Sequence, residues 1–117
     1  MHELGLLTGV VGAVEHAAAG RTVTAVHLEV GSLAGVVVES LHAAWPLARR
    51  GVCADATLQV HYHQAAVWCP KCAQLQAIDE YFALTCPVCD TPTADLRQGR
   101  EFTVSSIDVE TPDSPQD

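Results

Sequence analysis

Cys69-Pro70-Lys71-Cys72 and, after thirteen intervening residues, Cys86-Pro87-Val88-Cys89 form two Cys-x-x-Cys turns. Each turn aims two sulfurs at one centre, and together they make the closed four-thiolate shell that Zn²⁺ prefers in structural sites, at about 2.3 Å per Zn–S bond. A closed shell leaves no position for a substrate, so this centre is structural rather than catalytic. Two disulfides of a secreted mini-domain would use the same residues. Neither a charged n-region nor an apolar h-region opens the chain, however, so nothing points to an oxidising compartment. A rubredoxin-like iron site also accepts this spacing, although glycine would be expected after each knuckle, where Ala73 and Asp90 stand.

A second group with metal chemistry is Met1-His2-Glu3. A free α-amine, the intervening amide nitrogen and the His2 imidazole can close chelate rings on one ion, which a mid-chain histidine cannot do. Nitrogen donors in a plane suit Ni²⁺ or Cu²⁺, whereas zinc prefers a tetrahedron. The amide or the side chain of Glu3 would fill a fourth position. Taken alone, the tripeptide is a weak signal, and an ordinary frayed and solvated chain start is the simpler reading.

The composition excludes other uses of a paired-cysteine module. Six basic against fourteen acidic residues give a formal charge of −8, and four thiolates with one divalent ion make the chain more acidic still. Nucleic-acid binding draws its affinity from Lys and Arg on phosphate, often with aromatic stacking. Here Lys71 is the only lysine and aromatics are 5%, so no nucleic-acid partner is expected. No apolar run reaches the roughly 18 residues that a membrane span needs, and a cytoplasmic protein is expected. With 117 residues, 49% of them hydrophobic, the chain can bury one modest core.

Elements must position these groups. Leu4, Leu7, Val11, Val14 and Ala18 recur at helical spacing with Gly20 as a stop. Val26, Leu28 and Val30 alternate with His27 and Glu29 in a first strand that ends at Gly31. A second helix is predicted over 37–50 with the stripe Val38, Leu41, Trp45 and Ala48, and Pro46 should kink it or end its regular hydrogen bonding. A second strand over 57–64 places Leu58, Val60 and Tyr62 inward. After Gly99 a third strand changes phase between Phe102/Val104 and Ile107/Val109, which a bulge at Ser105-Ser106 would reconcile. The fold class that follows is α+β: two helices packed on a three-stranded sheet, with a zinc-ribbon-like four-cysteine module inserted between strands two and three. The discontinuous α+β domain is 1–64 plus 97–111, and the module is 65–96, its core limited to Trp68, Leu75, Ile78, Tyr81, Phe82 and Leu84. The tail 112–117 reads as disordered, with prolines among polar and acidic residues.

Other polar residues have plainer readings. His61 and His63 share a strand face and could in principle hold a second metal, but solvated strand residues are the better reading. His16, His27 and His42 are structural or solvated, and Cys53, outside any Cys-x-x-Cys pair, is a small buried hydrophobe. No nucleophile elbow, phosphate loop or Cys-His pair at catalytic spacing occurs, so an enzyme is not expected.

Met1-His2-Glu3-Leu4, Leu28-Glu29-Val30-Gly31-Ser32-Leu33-Ala34-Gly35-Val36, the two Cys pairs, and Gly99-Arg100-Glu101-Phe102-Thr103-Val104 with Ile107-Asp108-Val109-Glu110 resemble the HypA/HybF family of hydrogenase-maturation nickel chaperones over roughly residues 1 to 110. The resemblance implies nickel binding by Met1, His2 and Glu3 and structural zinc on Cys69, Cys72, Cys86 and Cys89. It also implies handover to a HypB-type GTPase and delivery to the large subunit of a [NiFe] hydrogenase. Gly5 replaces the family's usual serine, and the knuckles lack a following glycine, from which a less regular turn is expected. A zinc-stabilised interaction module without nickel transfer, or a rubredoxin-like electron carrier, would share part of this pattern.

Overall fold

The computed structural model of the chain describes residues 2–111; the expected disorder of 112–117 lies outside them. The helix α1 (His2–Ala18) buries Leu7, Val10, Val11, Val14 and Ala18. It ends two residues before Gly20, the predicted stop, because Ala19 and Gly20 both take positive φ and Arg21 closes the end by donating from its backbone N–H and from Nε to the Ala18 carbonyl. Such left-handed C-terminal residues satisfy carbonyls that the last turn leaves free. Strand β1 (Val23–Gly31) follows, with Val26, Leu28 and Val30 fully buried and His27 and Glu29 only half-buried.

Helix α2 (Val38–Ala48) matches its apolar stripe and is shorter than the predicted 37–50, and Pro46 lies inside its last turn. A proline there removes the bond to the carbonyl four residues earlier, and the helix ends two residues later, its last amide bond running from Arg49 to Trp45. Leu41, Trp45 and Ala48 are buried, and the Trp45 indole N–H donates to the Ala56 carbonyl at 2.8 Å. A short 3₁₀ turn, Gly51–Cys53, buries Cys53 completely.

Strands β2 (Thr57–His63), β3 (Ala66–Cys69), β4 (Gln74–Ala77), β5 (Leu96–Gln98) and β6 (Phe102–Val109) complete the chain. They form two three-stranded sheets, β2-β1-β6 and β4-β3-β5. The expected inward phase of β2 fails at its end: Leu58 is buried, but Tyr62 is 56% exposed. In β6 the buried phase changes at two successive exposed residues, Ser105 and Ser106, where the sequence asks for an irregularity.

The chain packs as two compact units. One holds residues up to 28, 36–60 and those from 104; there α1 packs on α2 and on the 3₁₀ turn. The other holds 29–35 and 61–103. In the second unit the backbone is pressed together at Gly31 and Gly99: a Cβ on Gly31 would collide with the Gly99 carbonyl group, and one on Gly99 would meet Ala65. The Gly31 amide donates to the Glu101 carbonyl at 2.8 Å and the Leu33 amide to the Gly99 carbonyl at 2.6 Å. Among the described residues, no helix is long and apolar enough to cross a membrane.

Candidate metal centre

The strand β3 delivers Cys69 at its C-terminal end, and the chain turns through Cys72 into β4, which pairs antiparallel with β3 in the register Cys69↔Gln74 to Ala66↔Ala77. None of the strands β3 to β5 was legible from periodicity, since each is only three or four residues long. The second knuckle, Cys86 to Cys89, is closed by an isolated bridge between Thr85 and Pro92.

The two knuckles are built alike. The Ala73 amide donates to the Cys69 carbonyl at 2.8 Å and the Asp90 amide to the Cys86 carbonyl at 2.9 Å. Ala73 and Asp90 both take left-handed backbone, with φ of 56° and 62°. The turns are therefore regular, contrary to the expectation drawn from the missing glycines. Side chains are tolerated here at a cost of about 1–2 kcal/mol, so the absence of glycine does not separate a zinc site from an iron one. Ala73→Gly should stabilise the metal-loaded protein by about 0.5–1 kcal/mol, the relief of that strain less the greater chain entropy of glycine. Chemical denaturation measures it, and a loss of stability would contradict the strain.

The four sulfurs lie within 4.8 Å of one another. Cys69 and Cys89 are separated by 3.5 Å, Cys72 and Cys89 by 3.6 Å, and Cys72 and Cys86 by 4.0 Å. A disulfide needs about 2.05 Å, and all five cysteines are free thiols. A tetrahedron with metal–sulfur bonds of about 2.3 Å has sulfur–sulfur edges of about 3.8 Å, which these three separations bracket, so the cluster suits a four-coordinate ion.

Hydrogen bonds to sulfur orient the ligands. The Cys72 amide donates to Cys69 Sγ at 3.3 Å and the Val88 amide to Cys86 Sγ at 3.4 Å. The Thr91 hydroxyl lies 3.1 Å from Cys89 Sγ. Through that hydroxyl and its backbone amide, Thr91 lowers the Cys89 thiol to about 6, whereas Cys72, hydrogen-bonded to Cys89, is pushed up to about 12. Thiols this close do not all ionise together without a cation, and a bound dication supplies the missing charge.

Around the cluster lies a small core of Ala65, Val67 and Ile78, with Phe82 and Leu96 packed on it. Three of the residues expected inside are not: Leu75 is 46%, Leu84 59% and Tyr81 82% exposed. Trp68 is half-buried under the Arg97 guanidinium, 5.2 Å from its ring centroid, and Arg97 is held by both carboxylate oxygens of Asp95 at 2.8 and 2.7 Å.

The other candidate ligands lie elsewhere. His2 is exposed on the first turn of α1, and Met1 is outside the described residues. The Glu3 carboxylate accepts the Val37 amide at 3.2 Å. That bond caps α2, whose N-cap Val37 has no side-chain cap of its own, and it holds the Glu3 carboxyl below its ordinary range. Sequence spacing gave no sign of this cap, because 34 residues separate the partners. His63 Nε2 lies 2.6 Å from Glu29 Oε1 and His27 Nε2 lies 3.0 Å from Asp108 Oδ2. Among the described residues, the four cysteines are the only group of three or more potential ligands close enough to share an ion. His61 and His63 are not brought into one.

Comparison with known proteins places this geometry. A family model described as hydrogenase/urease nickel incorporation, metallochaperone, HypA, matches residues 1–109. The hydrogenase maturation factor HypA of Chloroflexus aurantiacus is 34% identical over 113 residues, covering 93% of this chain and 99% of the relative. That of Azotobacter chroococcum is 35% identical, covering 94% and 100%. The solution structure of the Ni metallochaperone HypA from Helicobacter pylori superposes with a TM-score of 0.62 over 92% of this chain and 96% of its own, at 18% identity, and so shares the fold. With a family model spanning both the N-terminal residues and the four-cysteine cluster, the chain belongs to the HypA family of nickel-incorporation metallochaperones that act in hydrogenase maturation, and it is not an enzyme.

Proposed function

We propose that the chain carries Ni²⁺ at its N-terminus and a structural Zn²⁺ on Cys69, Cys72, Cys86 and Cys89, and that it surrenders the nickel during [NiFe] hydrogenase maturation. The observation that carries the nickel reading is the start of α1 at His2, with an exposed imidazole. The first four amides of a helix have no intrahelical partner, so the nitrogens of His2 and Glu3 can bind an ion without breaking a helical hydrogen bond. The Glu3 carboxylate is already engaged by the Val37 amide, which leaves the Glu3 amide as the donor this residue offers. Together with the Met1 amine and the His2 imidazole, these nitrogens suit a planar Ni²⁺.

Zinc is supported by the soft all-thiolate set and the near-tetrahedral sulfur separations. In this reading 1–64 plus 97–111 form the nickel domain and 65–96 the zinc module. An exposed terminal site exchanges ligands readily, as handover to a HypB-type GTPase and then to the hydrogenase large subunit in the cytoplasm requires.

Titration calorimetry of Ni²⁺ into untagged, N-terminally tagged and His2→Ala proteins tests this. The tag removes the amine and the substitution removes the imidazole, and each should weaken binding at least about tenfold, or about 1.4 kcal/mol. Glu3→Gln, which keeps the amide, should weaken it less. Affinity should fall as pH drops, since the ion displaces protons from its ligands. Unchanged affinity in His2→Ala would remove the proposed mechanism.

A further inference from the structure

Among the described residues, Gln76 is the one buried polar side chain, 9% exposed, and its Nε2 has no hydrogen-bond partner. An unpaired buried amide is costly, and nothing in the apolar packing of this unit needs one. The residue is the single inward-facing position of β4, opposite Val67, on the strand that leaves the first knuckle.

The cluster has a matching gap. Cys69, Cys86 and Cys89 receive the Cys72 amide, the Val88 amide and Thr91 respectively. Among the described residues, no backbone amide or hydroxyl donates to Cys72. In the second knuckle the later cysteine takes its donor from a side chain, Thr91. In the first knuckle the corresponding side chain is Gln76, four residues past Cys72: the register Cys69↔Gln74 and Val67↔Gln76 puts it on the sheet face that carries Cys69, at a diagonal distance that a long side chain spans.

We propose that the Gln76 carboxamide donates an N–H···S hydrogen bond to the Cys72 thiolate of the metal-loaded centre and thereby positions that ligand and damps its nucleophilicity. A neutral thiol is a weak acceptor, whereas a metal-bound thiolate is a strong one. The proposal rests on the four-cysteine centre holding a tetrahedral dication. Donors of this kind tune metal affinity by about 10–100-fold.

The test uses the full chain loaded with ¹¹³Cd²⁺. Scalar coupling from cadmium should reach a Gln76 side-chain amide proton through Cys72, as well as the backbone amide protons of Cys72 and Val88 through Cys69 and Cys86. Coupling to the two backbone protons without coupling to Gln76 would overturn the proposal while leaving the metal centre intact. Absence of every coupling would sink the metal reading itself. In Co²⁺-loaded Gln76→Met, which keeps volume and removes the donor, the thiolate-to-cobalt charge-transfer band should move to lower energy. Cys72 should be alkylated several-fold faster relative to the other three cysteines, and zinc should bind about tenfold more weakly. An unmoved charge-transfer band with unchanged alkylation would refute the assignment.

Discussion

Replacing Cys86 by alanine should abolish stoichiometric metal binding and unfold residues 65–96, while the unit containing α1 and α2 keeps its helices. The unit's apolar cluster is Ala65, Val67 and Ile78 with the partly buried Phe82 and Leu96 packed on it, too small a core to offset the ordering of the module by itself. The metal's contribution is therefore decisive. A three-thiolate remnant loses most of it. Metal analysis per chain together with amide spectra of the full-length protein reads both effects. Cys53→Ala is the control: Cys53 is buried in the other unit, so its loss should cost packing only and leave one metal per chain. Retention of one metal per chain by Cys86→Ala would refute the four-ligand centre.

Gly31→Ala should destabilise the metal-loaded protein by about 3 kcal/mol or more, at or above the upper end of ordinary overpacking, and lower Tm by roughly 10 °C. The added methyl would meet the Gly99 carbonyl group, which is main chain and cannot rotate away. Gly99 cannot retreat either. It abuts Ala65, its N–H is bound by Glu101 Oε1 at 2.8 Å, and its carbonyl accepts the Leu33 amide. The same substitution at Gly5 or Gly9 in α1 meets nothing within 4 Å and should stabilise by about 0.5–1 kcal/mol through helix propensity. Thermal unfolding of the three variants shows opposite signs. A melting point for Gly31→Ala within about 2 °C of the parent would show that the two backbones part without cost.

Local pattern determined much of this protein. Helical spacing from Leu4 to Ala18 and alternation in Val26–Val30 announce α1 and β1 because each buries one continuous apolar face, and burial is what periodicity records. The paired cysteines announce a metal cluster because two Cys-x-x-Cys turns have few other uses in a chain of this composition. Tertiary structure alone decided the rest. Strands β3 to β5 are too short to carry a period, and they exist because the knuckles and the pairing of Val67 with Gln76 hold them together. Tyr62, Leu75 and Tyr81 alternate or cluster as core residues do, yet they are exposed, since a strand's apolar phase is buried only where something covers it. The left-handed turns at Ala73 and Asp90, the capping of α2 by Glu3 and the burial of Gln76 opposite Val67 are set by geometry rather than by spacing. No periodicity in the sequence encodes a contact whose partner is brought there by the fold.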